Sequence, residues 1–113
     1  MARYTQYFTV AVPPDRFRQT LVDTLSSCNL DIIYDTQDYL MAREIPGGVP
    51  FAKLVTIEVL IDQTPESKIR LTCVAKNEEL PLQRNNHCYQ MFDQVNQAVS
   101  QNQTWQLLES ITG

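Results

Sequence analysis

The sequence predicts an α+β fold: a single antiparallel five-stranded sheet with two helices packed on one face, in the order β-α-β-β-β-β-α. Three observations predict it. Several stretches alternate apolar and polar residues with a period of two, the mark of strands that are dry on one side only. Two stretches repeat apolar residues every three or four positions, the mark of helices with one buried stripe. The links between the later alternating stretches are mostly short, which makes those strands antiparallel neighbours.

Arg3–Val12 (RYTQYFTVAV) is the first strand, with Tyr4, Phe8, Val10 and Val12 on its dry side and Arg3, Thr5, Tyr7 and Thr9 opposite. Gln6 interrupts the dry side and is expected near the strand's wet end. Pro13-Pro14-Asp15 ends the strand and starts a helix, because proline lacks an N–H that the first turn would leave unpaired. Asp15 adds negative charge at the positive end of the helix dipole. Phe17, Leu21, Leu25 and Cys28 share one face of that helix, and Asn29 suits a left-handed stop.

Strands are expected at Asp31–Asp35, Tyr39–Ile45, Ala52–Asp62 and Lys68–Lys76. Thr36-Gln37-Asp38 and Gln63–Ser67 are turns, and Pro46–Pro50 is a longer, stiffer connection. Val55, Ile57, Val59 and Ile61 form one dry row, and Ile69, Leu71, Cys73 and Ala75 form another. The last helix starts near Asn86 and carries Cys88, Phe92, Val95 and Val99 on one face. Ser100–Thr104 bends or breaks it, and Trp105, Leu108 and Ile111 follow as a short apolar face with Leu107 beside them. Both helices are expected over the same side of the sheet, leaving the other side to solvent.

The chain's 113 residues suit one domain, spanning 1–113, that buries roughly two thirds of its unfolded surface. The net charge is -4 and the pI about 4.8, which argues against nucleic acid and against an anionic membrane surface. Three widely spaced cysteines do not make a disulfide framework and suit a reducing, cytoplasmic setting. No apolar run is long enough to span a membrane, so no membrane insertion is expected.

KNEELPLQRNNHC, Lys76 to Cys88, holds the only histidine beside a cysteine and after two glutamates. Adjacent helical residues point about 100° apart, so His87 and Cys88 do not grip one ion together. Zinc needs about four converging ligands, and these residues fall short. A core-facing Cys88 is also a poor nucleophile, because burial disfavours the thiolate. The stretch reads as a loop, with Asn85 or Asn86 capping the last helix. Gly47-Gly48 feeds a strand rather than a helix, so it is no phosphate cradle. No catalytic residue, cofactor site or metal site is assigned.

Two features stand above that background. The connection Ile45–Phe51 (IPGGVPF) is stiffened by two prolines and carries Val49 and Phe51, which either meet a partner or fold back over the core. The polar sheet face should carry Thr5, Tyr7, Thr9, Arg43, Thr56, Glu58, Arg70, Thr72 and Lys76. It offers tyrosine and arginine to a partner, or cross-strand ion pairs such as Glu58 with Arg43 or Arg70. The candidate partner contacts are therefore Val49, Phe51, Tyr7, Arg43, Glu58, Arg70 and Lys76.

The element order resembles the TATA-binding-protein-like fold, β-α-β4-α, across the whole chain. The wedge aromatics and basic sheet of that fold's DNA-binding members are not among these residues, so the resemblance carries topology and no function. The phrase YLMAREIPGGVPFAKL (Tyr39 to Leu54) and the glutamine-rich last helix look similar to small soluble cyanobacterial proteins. Those include accessory subunits of the photosynthetic NDH-1 complex and factors serving photosystems.

The expected function is a non-enzymatic accessory subunit or assembly factor that binds a protein partner or forms a homo-oligomer. One alternative is an apolar-ligand carrier with a cavity among Phe17, Leu21, Phe92, Ile57 and Leu71. A third reading is a cysteine-dependent enzyme using Cys88 and His87.

Overall fold

The structure, a computed structural model, describes residues 1–63, 68–80 and 86–113. The turn expected at Gln63–Ser67 lies mostly outside the described residues, as does Asn85. The order is β1 (Ala2–Ala11), α1 (Pro14–Ser26), β2 (Leu30–Asp35), β3 (Tyr39–Glu44), a short 3₁₀ turn (Phe51–Lys53), β4 (Thr56–Gln63), β5 (Lys68–Asn77), α2 (His87–Gln101) and β6 (Gln106–Thr112). All the strands join one sheet, in spatial order β2-β3-β4-β5-β1-β6, and every neighbouring pair is antiparallel.

The sheet therefore has six strands rather than five, and the chain ends β-α-β4-α-β. Trp105–Ile111 is not a helical face. Trp105 is a buried anchor whose Nε1 donates to the Val99 carbonyl at 3.0 Å, and the residues after it run along β1 as β6. A bulge explains why alternation failed to announce this strand. Leu107 faces Val10 and Glu109 faces Thr9, so Leu108 is the extra residue that shifts the pattern.

β6 also corrects the placement of Gln6. That residue is buried, and its amide donates to Ser110 Oγ at 2.7 Å while its carbonyl accepts from Thr112 Oγ1 at 2.9 Å. A polar residue on a dry row is tolerated because the missed strand satisfies it. The long fourth strand starts at Thr56 rather than Ala52, because Phe51–Lys53 coil into the 3₁₀ turn.

Both helices cover one face. Phe17, Leu21 and Leu25 of α1 join Cys88, Met91, Phe92, Val95 and Val99 of α2 in one buried cluster with Phe8, Val10, Ile57, Val59 and Leu71. Each such side chain contributes roughly 1.5–3 kcal/mol by leaving water. The helix ends follow the sequence. Pro14 opens α1, Asn29 takes φ 62° after it, and α2 stops at Gln101 inside the polar Ser100–Thr104 run.

Candidate interaction surface

Strand register decides which side chains share the open face. Asp31, Arg43, Thr56, Lys76 and Arg3 stand side by side on β2, β3, β4, β5 and β1. The next row inward is Tyr34, Met41, Glu58, Val74 and Thr5. A third row is Tyr39, Leu60, Thr72, Tyr7 and Ile111, and Asp62, Arg70, Thr9 and Glu109 lie beyond it. All the residues expected on the polar face are there.

This face is less polar than the sequence suggested. Tyr7, Leu60, Ile111 and Tyr34 are 46, 50, 51 and 56% exposed, and with Tyr39 they make an aromatic and aliphatic band across the sheet. Tyr34 and Tyr39 meet edge to face at 5.8 Å. Val74 belongs to the same face yet is buried, sheltered between the rows.

Glu58 does not pair as expected. In register it faces Met41 and Val74, with Arg43 and Arg70 in other rows. Its carboxylate takes the Lys76 ammonium, on the diagonal, and the Tyr39 hydroxyl at 2.6 Å. The Lys76 hydrogen bond, then that of Tyr39, holds Glu58 below the usual carboxylate range. The same bond from the other side, with burial adding to it, pushes Tyr39 up to about 12.

The stiff connection delivers Phe51 to one end of this face. Phe51 does not fold back over the core: it is 80% exposed. It lines a cleft of about 250 Å³ with Met1, Arg43, Ala52, Leu54, Thr56, Lys76, Asn77 and Glu78. Three of the expected contacts, Phe51, Arg43 and Lys76, thus converge. Tyr7 and Glu58 lie in the band and the row between, and Arg70 lies at the far end. Val49 is half-buried and does not line the cleft.

Asn77 and Glu79, just after β5, meet the first residues of α2. Asn86 caps α2, its Oδ1 accepting from the Tyr89 amide at 2.7 Å. Glu79 accepts from the amides of Cys88 (2.9 Å) and His87 (3.2 Å), and Asn77 steadies it. Burial pushes Glu79 up. The hydrogen bonds from Asn77 and those two amides, with the nearby Lys53 charge, outweigh that and hold it below the usual carboxylate range.

His87 Nε2 sits 2.8 Å from both oxygens of Glu44, a buried carboxylate that also accepts from the Val55 amide at 3.0 Å. Glu44 was missed, although alternation from Leu40 and Ala42 turns it inward, and a buried carboxylate needs a donor. Cys88 is buried beside the Ala2 carbonyl, and burial pushes its thiol up to about 12. Cys73 is also pushed up to about 12 by burial. The imidazole thus faces Glu44, and the thiols face the core.

No family model matches the chain, and no curated protein matches it. Among the described residues, no helix is long and apolar enough to cross a membrane.

Proposed function

We propose that this chain is a non-enzymatic partner-binding protein, an accessory subunit or assembly factor, and that the open sheet face is its contact surface. The observation that carries this reading is the band Tyr34, Leu60, Tyr7 and Ile111, each about half exposed, with half-buried Tyr39 among them on the open sheet face. Apolar and aromatic side chains grouped in the open mark contact sites, and tyrosine and arginine are favoured at interface centres. A sheet backed by a packed core holds them in place, so little entropy is lost on binding. The resemblance of Tyr39–Leu54 to cyanobacterial accessory proteins supports seeking the partner among photosynthetic complexes. The unpaired thiols of Cys28, Cys73 and Cys88 support a reducing, cytoplasmic setting.

The test is a photo-crosslinking residue placed at Tyr7 or at Leu60 in native cells, with conjugates identified by mass spectrometry. The expected result is one dominant conjugate to a different protein, lost from the Tyr7 position when Leu60→Asp puts a charge into the band. A chain that crosslinks to nothing from either position, and migrates as a lone monomer in native lysate, would contradict the reading.

A further inference from the structure

We propose that the cleft beside Phe51 seats an acidic, extended segment of the protein partner: one carboxylate with an apolar side chain next to it. This deepens the reading above and rests on it. The first argument is register. Arg43 and Lys76 flank Thr56 in one row, on the strands either side of β4. Adjacent strands lie about 4.8 Å apart, so the two cations rise roughly 10 Å from one another with a short side chain between them. Two long cationic arms over a threonine make a notch. A carboxylate in that notch meets the fork of Arg43, the ammonium of Lys76 and the hydroxyl of Thr56, and the arginine bond to a carboxylate is commonly bidentate. Arg3 extends the row on the far side of Lys76.

The second argument is the wall. Phe51, Met1, Ala52 and Leu54 line the same cleft, so an apolar neighbour of the carboxylate has a surface to cover. The third is size. About 250 Å³ is below the range of cofactor and drug-sized pockets, and suits one or two side chains of a longer segment.

Opposing charges are present and do not cancel the site. Glu58 holds Lys76 from the next row, but an ammonium carries three donors and can serve two acceptors. Asp31 stands beside Arg43, and Glu78 is on the rim. That mixed rim and a net charge of -4 favour a peptide over an anionic membrane.

The experiment titrates ¹⁵N-labelled protein with acetylated, amidated heptapeptides bearing one Asp beside Phe or Leu in a Gly-Ser background. The controls are the same peptides with Asn for Asp, peptides with Lys for Asp, and phosphatidylserine vesicles. Expected are amide shifts at Arg43, Thr56, Lys76 and residues 51–54, at least fivefold weaker binding of the Asn peptides, and a preference for the Lys peptides in Arg43→Glu. Phe51→Ser should weaken the Asp-Phe peptide severalfold and keep the preference for Asp over Asn. The unperturbed remainder of each variant's spectrum reports that it is folded. Equal binding of Asp and Asn peptides, shifts elsewhere, or no shifts at millimolar peptide would overturn the proposal. Vesicle binding lost in Arg43→Glu, without peptide binding, would overturn it in favour of a membrane. If the peptides fail while crosslinking from Tyr7 and Leu60 still yields a partner, only the cleft assignment falls.

Discussion

On β4 and β5 the two faces of the sheet alternate residue by residue. Ile57, Val59, Leu71 and Cys73 point one way and are buried beneath the helices, while Glu58, Leu60, Thr72 and Lys76 point the other way. Single exposed apolar side chains are ordinary on a solvated face, whereas a contiguous group of them is not. Here Leu60, Tyr7 and Ile111 stand in one row across the sheet and are left about half in water. The dry face is explained by stability alone. The open face groups apolar side chains where water reaches them, as contact sites do.

The largest effect is expected on the dry face. Leu71→Ala on the dry face should cost about 2–5 kcal/mol in denaturant unfolding, through lost burial and the cavity left behind. A loss as small as that of a surface change would mean the helices do not hold that face.

Gln6→Ala comes next. It removes the amide that joins β1 to Ser110 and Thr112, and should cost about 1–2 kcal/mol. Hydrogen exchange should speed up in β6 well before the rest of the sheet. Unchanged β6 protection would show that the backbone ladder alone fixes the strand.

Glu79→Gln probes the clamp at the start of α2 and should cost about 1 kcal/mol at neutral pH, as capping and helix-dipole contacts do. Glu79 titrates below its unfolded value of about 4.5, so its charge-linked contribution is full above that value. It fades as pH falls through the lower folded value. Glu58 acts in the same direction. The variant's stability should therefore decline less steeply than the parent's on the acid side, measured by unfolding at stepped pH. Parallel acid limbs would remove Glu79 from the account.

The smallest effect is expected at Leu60→Ser. It should change stability by no more than about 0.5 kcal/mol, as surface substitutions do, while removing the crosslink from Tyr7. A large loss of stability there would move Leu60 from the contact surface to the fold.

Much of the fold was legible because its signals are local. The proline entry into α1, the left-handed Asn29, the Asn86 cap and the alternation of β1, β4 and β5 need only neighbouring residues. β6 was not legible, because the bulge at Leu108 breaks the alternation that would have named it. Its trace in the sequence was Gln6, a polar residue on a dry row that required a partner. Glu44 left a similar trace, an acid on the inward side of β3, but nothing nearby in sequence pointed to His87.

Of the expected contacts, Arg43, Glu58, Arg70, Lys76 and Tyr7 could be assigned to one face from period two alone. That Arg43, Lys76 and Phe51 enclose a single cleft could not.

The amino-acid order by itself determined the two helices, the extended stretches of β1 to β5 apart from the start of β4, which side of each avoids water, and that the thiols are drawn inward. Those outcomes depend on backbone geometry and on hydrophobicity over a few residues. Only the tertiary structure decided that β1 lies between β5 and β6, that His87 meets Glu44, and that a band of tyrosine and leucine crosses the open face. Each of these requires residues far apart in the chain to meet at a particular register, and register is set by the packing of the whole sheet against its helices.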